Sequence, residues 1–138
     1  MGLIDELFGK KEVDEALRTG SPFKMRLSFL PLRLTSRKNN SAELVIEFQN
    51  VTHEALLVSL VVSTKSGLGL DSMGLNKARE VRVGYMKEGE EKMVRVPIYG
   101  STNTAPGNYP VDVSIMAHYR DYGHVLNSVR KSLELRVV

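Results

Sequence analysis

The sequence predicts an all-β antiparallel sandwich of about seven strands, preceded by a short helical segment. Three observations carry this expectation. Tyr109, Val111, Val113, Ile115, Ala117 and Tyr119 occupy alternate positions, interleaved with Pro110, Asp112, Ser114, Met116, His118 and Arg120. A period of two places the first set on one buried face of a strand. Val129, Leu133, Leu135 and Val137 then alternate with Arg130, Ser132, Glu134 and Arg136, and Asp121-Tyr122-Gly123 between the two runs reads as the turn of a long hairpin. Upstream, shorter apolar runs are separated by Gly, Pro, Asn and Asp, and such runs bury their apolar faces best as two packed sheets.

The chain has 138 residues, 42% of them hydrophobic and 25% charged. That suffices for one domain with its own core, without disulfides or metals. No cysteine is present, which excludes disulfide scaffolds, Cys-ligated zinc, iron–sulfur clusters and thiol nucleophiles. The formal charge of +3 is unevenly placed. Residues 1–20 carry five acidic and three basic side chains, residues 21–40 carry Lys24, Arg26, Arg33, Arg37 and Lys38 with no acid, and the remainder is balanced. A nucleic-acid-binding face calls for a larger basic surplus interleaved with aromatics. No nucleic-acid partner is therefore expected.

Taking the elements in order, Leu3, Ile4, Leu7 and Phe8 group on one side of a short helix that Gly9 suits as a C-terminal cap. A second helical run from Glu12 to Arg18 has Val13, Ala16 and Leu17 as its apolar set. At about 100° per residue the two sets point in nearly opposite directions, so a break at Gly9 is expected. The domain division is thus a helical appendage, 1–20, and a sandwich, 21–138. The acids in the first twenty residues and the lack of a long apolar run argue against a secretory signal, and no stretch reaches transmembrane length, so the expected compartment is the cytoplasm.

The first strand has Phe23, Met25, Leu27 and Phe29 in phase, then shifts to Leu30, Leu32 and Leu34 around Pro31. Proline cannot donate to a ladder, so the shift marks a bulge or a change of sheet. Leu44, Ile46 and Phe48 form the next buried face. Asn50 to Glu54 connects it to the nearly continuous Leu/Val run Ala55–Ser63, which reads as a central strand. Lys65 to Lys77, with Gly67, Gly69 and Gly74, is a long connection expected to cross between sheets. Val81, Val83 and Tyr85 alternate next, Glu88-Gly89-Glu90 turns the chain, and Val94, Val96 and Ile98 continue the meander.

Three segments together carry a resemblance. They are the Ala42–Val58 strand–turn–strand with Asn50-Val51-Thr52, the Gly89-Glu90 turn before Val94-Arg95-Val96, and Ala105-Pro106-Gly107-Asn108-Tyr109 before Val111-Asp112-Val113. Residues 22–138 resemble bacterial and archaeal immunoglobulin-like β-sandwich domains of the adhesion-related type. The resemblance implies an immunoglobulin-like sandwich; its motifs are turn and strand signals, which speak to fold and are nearly silent on function.

Motifs that would carry chemistry are weak. His118 and His124 flank the last hairpin turn with Asp121 between them, a partial zinc set without a third strong ligand at fixed spacing. No Gly-x-Ser-x-Gly elbow accompanies the serines and histidines. Lys65-Ser66-Gly67-Leu68-Gly69 lacks Walker spacing, and Glu88, Glu90 and Glu91 read as a solvated turn. No enzyme activity, cofactor, bound metal or small-molecule substrate is expected.

The expected role is a non-catalytic protein-interaction or scaffold module, binding a protein partner or a second copy of itself by strand addition at an edge or through loops at one end. Partner-binding candidates are Leu3, Ile4, Leu7 and Phe8 on the helical segment, and Arg120, Tyr122 and His124 at the hairpin tip. Tyr119 is in phase with the core and is expected to be inward. An alternative role is a peripheral membrane adaptor tethered by the N-terminal amphipathic helix; a third is a metal-dependent enzyme centred on His118 and His124.

Overall fold

The computed structural model describes residues 21–138, and the helical appendage expected over 1–20 lies outside them. The described residues form strands β1 (Phe23–Leu30), β2 (Arg33–Leu34), β3 (Asn40–Asn50), β4 (Leu56–Thr64), β5 (Ala78–Met86), β6 (Glu91–Gly100), β7 (Gly107–His118) and β8 (Val125–Val137). They make a three-stranded sheet, β1-β3-β6, and a five-stranded sheet, β2-β8-β7-β4-β5. All pairings are antiparallel except β2 with β8. The eighth strand, relative to the seven expected, is the two-residue β2. It arises because the chain leaves the small sheet at Leu30 and joins the large one beyond Pro31.

The period-two pattern sets the core. Leu44, Ile46 and Phe48 from β3, Val58, Leu60 and Val62 from β4, and Val111, Val113 and Ile115 from β7 are all fully buried between the sheets. β4 lies inside its sheet, between β7 and β5, which accounts for its near-continuous apolar sequence. At the start of β7 the Tyr109 hydroxyl donates to the Ala105 carbonyl at 2.6 Å. This back-bond of a tyrosine to the preceding corner ties the Pro106-Gly107 turn to the strand. The Tyr109 ring also lies where Gly67 would carry a side chain, 2.5 Å from an ideal Cβ, so that loop can pass only as glycine.

Three expectations are corrected. The Lys65–Lys77 connection does not carry the chain to the other sheet, because β4 and β5 are neighbours in the same one. It reaches across far enough for Gly69 to bridge Tyr99 of β6, then returns. Tyr85 does not share the inward face of Val81 and Val83. A register shift opposite Val58/Ser59, with Gly84 at φ 92°, turns it outward, 64% exposed. Tyr119 is likewise outward, 51% exposed, and His118 takes the buried position. The β7–β8 ladder shifts register between Ala117 and His118, and the strand ends there before Tyr119.

The pairings fix the two ends of the sandwich. β1 starts, β3 ends, β4 starts, β5 ends, β7 ends and β8 starts at the same end, since Phe23 pairs Asn50, Leu56 pairs Met86, and Leu57 pairs His118, which pairs Val125. The glycine-rich connection and the C-terminus lie at the other.

Candidate interaction site at the β7–β8 tip

Residues 119–124 join β7 to β8 in a tight turn. The Tyr119 amide donates to the His124 carbonyl (2.9 Å), and the Asp121 amide donates to the Tyr119 carbonyl (2.8 Å). Arg120 takes φ 68°, a left-handed conformation that costs an ordinary residue about 1 kcal/mol. It reverses the chain so that the following residues fold back over the outer face of the five-stranded sheet. The Asp121 carboxylate then closes the turn, accepting from the Gly123 amide (2.8 Å) and pairing with His124 Nδ1 (2.8 Å). These two bonds, the His124 contact first, hold the Asp121 carboxyl below its usual range.

The fold-back puts Tyr122 over His118. Their rings meet edge to face, with centroids 5.2 Å apart and planes at 68°. The Arg82 guanidinium of β5 stands 4.8 Å from the centre of the Tyr122 ring. Beneath, His118 Nε2 and Ser59 Oγ are 2.6 Å apart, and both residues are buried. Ser59 belongs to the outer face of β4, opposite the core-facing Val58 and Leu60, so its complete burial comes from cover on that outer face. His118 Nδ1 is buried and makes no hydrogen bond.

A serine hydroxyl at hydrogen-bond distance from an imidazole has the reach of a nucleophile–base pair. It lacks the rest of that machinery: Ser59 is inaccessible, and no carboxylate orients Nδ1. The two tip histidines do not converge on a common point. His118 is committed to Ser59 and His124 to Asp121, and among the described residues no group of three or more His, Asp and Glu side chains could hold a metal.

The partner-binding candidates are thus rearranged. Arg120 is exposed, with its guanidinium 5.0 Å from the Tyr119 ring centre. His124 is exposed beside Asp121. Tyr122 is half-buried as a cover. Tyr119, which the alternation assigned to the core, is instead an exposed aromatic. Val125 and Leu126, 55% and 61% exposed, begin β8 directly after the turn, and Tyr85 stands at the same end of the sheet. Leu3, Ile4, Leu7 and Phe8 lie outside the described residues.

Two other regions of the surface differ from the tip. A half-open cleft of about 210 Å³ is lined by Gly67, Gly69, Gly74, Lys77, Tyr99 and Asn103, among others. Among its donors, Gly69 N bonds Tyr99 O, Gly74 N bonds Asp71 O, and Lys77 Nζ donates to the Leu68 carbonyl. Three strands at sheet edges, β5, β6 and, outside its two-residue pairing with β2, β8, also carry features that discourage strand addition. β5 presents Arg79, Glu80 and Arg82 and the Gly84 bulge, and β6 contains Pro97. On β8, Lys131 shares the core-facing side with Val129 and Leu133, and its Nζ donates to the Met25 carbonyl of β1 at 3.2 Å.

No protein-family model matches the chain, and no curated protein matches it. Among solved structures it is similar to a mutant alpha-2-macroglobulin of Salmonella (17% identity, TM-score 0.62), over 85% of this chain and 7% of that one. It is similar to native alpha-2-macroglobulin of Escherichia coli (14% identity, TM-score 0.61), over 86% of this chain and 7% of that one. An alkylpurine DNA glycosylase of Pseudomonas fluorescens, bound to DNA with an abasic site analogue, matches at 17% identity and TM-score 0.50, over 91% of this chain and 34% of that one. The chain therefore spans only a small part of the proteins it resembles. At these identities the likeness speaks to fold alone, and the fold is an immunoglobulin-like β-sandwich.

Proposed function

We propose that this chain is a non-catalytic protein-interaction module that engages its partner through the β7–β8 tip. The observation that carries the reading is one corner at which Tyr119, Val125 and Leu126 are exposed and Arg120 is stacked on an aromatic ring. Aromatic and arginine side chains are the types that dominate binding energy at protein interfaces. Blunted edges support loops over strand addition as the mode of contact, and the Ser59–His118 pair offers no accessible chemistry. The partner is another protein or a second copy of this chain.

The test compares the full chain with a Tyr119→Ser/Leu126→Ser variant in crosslinking and capture experiments, with light scattering for self-association. A partner, or an oligomer, held by the parent and lost from the folded variant supports the tip. Equal capture by both proteins, or turnover of a small substrate, overturns the reading.

A further inference from the structure

We propose that Tyr122 is a pH-gated cover, and that protonation of His118 releases it from the outer face of the five-stranded sheet. The inference goes beyond the docking reading, because it concerns the conformation of the tip and stands whether or not a partner binds there.

His118 is 5% exposed and has a single hydrogen-bond partner, Ser59. In the neutral ring two arrangements satisfy that bond. Either the serine hydroxyl donates to Nε2 and Nδ1 carries an unused proton, or Nε2–H donates to Ser59 and Nδ1 keeps an unused lone pair. The orphaned atom is then uncharged. Adding a proton removes the choice: both nitrogens become donors, only Ser59 accepts, and a cationic N–H is left buried without an acceptor. A buried unpaired charged donor is far costlier than a neutral one. Lifting Tyr122 lets water reach the ring.

Among the described residues, the surroundings do not supply the missing counter-ion. β4 contributes Leu57 and Ser59, and β8 contributes Val125, none of them charged. β5 contributes Arg82, which is paired with Glu80 at 3.2 Å, and Tyr85. From the tip come Arg120, on Tyr119, and the exposed Asp121–His124 pair. Asp121 is the one carboxylate favouring a charged His118, but it is solvent-screened and already engaged by Gly123 and His124. Tyr122 meets the sheet through ring contacts with His118 and Arg82, whereas the turn's hydrogen bonds are internal to the hairpin. Only a histidine among these groups changes charge in the ordinary physiological range.

The experiment is an NMR titration of the full chain from about pH 8 to about pH 5, the range in which imidazoles exchange their charge. It follows the His118 ring resonances, the His118–Tyr122 ring-to-ring contact, and exchange protection of the amides of residues 119–124. The contact should be lost in step with the His118 titration. Protection, corrected for intrinsic exchange, should fall about tenfold. A His124→Asn variant should open in the same way. A Ser59→Ala/His118→Phe double variant, which leaves no polar atom stranded, should keep its cover at every pH. A contact that survives full protonation of His118 overturns the proposal, as does opening that vanishes in His124→Asn or persists in the double variant. Should the double variant fail to fold, the parent titration decides alone.

Discussion

Asn50 and His118 stand at the same end of the sandwich, both buried, and they solve the problem of a buried polar side chain in opposite ways. Asn50 is fully enclosed and uses all of its amide. Its Nδ2 donates to the carbonyls of Glu54 (2.8 Å), Met86 (3.1 Å) and Lys87 (3.2 Å), and its Oδ1 accepts from the Thr52 amide (2.9 Å) and hydroxyl (2.6 Å). It ties the β3–β4 connection to the β5–β6 turn. His118 has one bond and one orphaned nitrogen. A saturated group fixes a corner; an unsaturated one leaves a corner whose closed state water can compete with.

The largest expected effect breaks the first half of that contrast. Asn50→Ala strands the buried Met86 carbonyl at the end of β5, unties the part-buried carbonyls of Glu54 and Lys87, and should destabilise the domain by about 3 kcal/mol, read from denaturant unfolding. A loss under about 1 kcal/mol would mean that these carbonyls find water and that the corner is not locked.

How much of this was legible in the sequence follows the same division. Alternation placed Leu44, Ile46, Phe48, Val111, Val113 and Ile115 in the core, because a period of two is a local property of the chain. The Pro31 phase shift foretold the change of sheet. Gly84 inside an alternating run was a readable sign of a bulge, and it accounts for Tyr85 facing outward. The tip was not readable. Its arrangement hangs on Arg120 adopting φ 68° and on the register shift at His118, neither of which has a residue signature. Alternation carried on through those two points gives Tyr119 as core and His118 as exposed, whereas Tyr119 is exposed and His118, on the outer face beside Ser59, is buried beneath Tyr122. Ser59 sits 59 residues from His118, and only the pairing of β4 with β7 brings them together.

Asp112 gives a case between the two extremes, a half-buried carboxylate with good partners. Ser132 Oγ donates to it, and so does Arg130 at 2.9 Å. The Ser132 bond, ahead of Arg130 and Lys65, holds its carboxyl below the usual range. A lowered folded value means that the contribution is present above the unfolded carboxylate range, near pH 4, and lost as pH falls through the folded value. Asp112→Asn should therefore cost about 1 kcal/mol near neutrality and nothing once the parent carboxyl is protonated. Unfolding curves for parent and variant that stay parallel down to about pH 2 would show that the charge does not matter there.

The double change Ser59→Ala/His118→Phe tests the unsaturated half of the comparison. Removing both members of a hydrogen-bonded pair avoids leaving either unpaired, so the cost at neutral pH should stay under about 1 kcal/mol. Ser59→Ala alone should cost more than the pair, since it orphans the second imidazole nitrogen as well. Thermal unfolding of the two variants decides the order, and a double variant weaker than the single would show that the pair supports the fold.

The smallest expected effect has the opposite sign. Arg120 holds a left-handed conformation that glycine adopts without a Cβ clash. Its contact over the exposed Tyr119 ring is weak in water. Arg120→Gly relieves strain in the folded state but also loosens the unfolded chain, and the second effect offsets part of the first. The net should be a gain of about 0.5 kcal/mol in stability. If the tip is the docking surface, the same variant binds its partner less well, because the stacked guanidinium is gone. A variant that is more stable and binds less would separate what the tip does for the fold from what it does for recognition. One that is less stable would mean that Arg120 holds the turn through its side chain rather than straining it through its backbone.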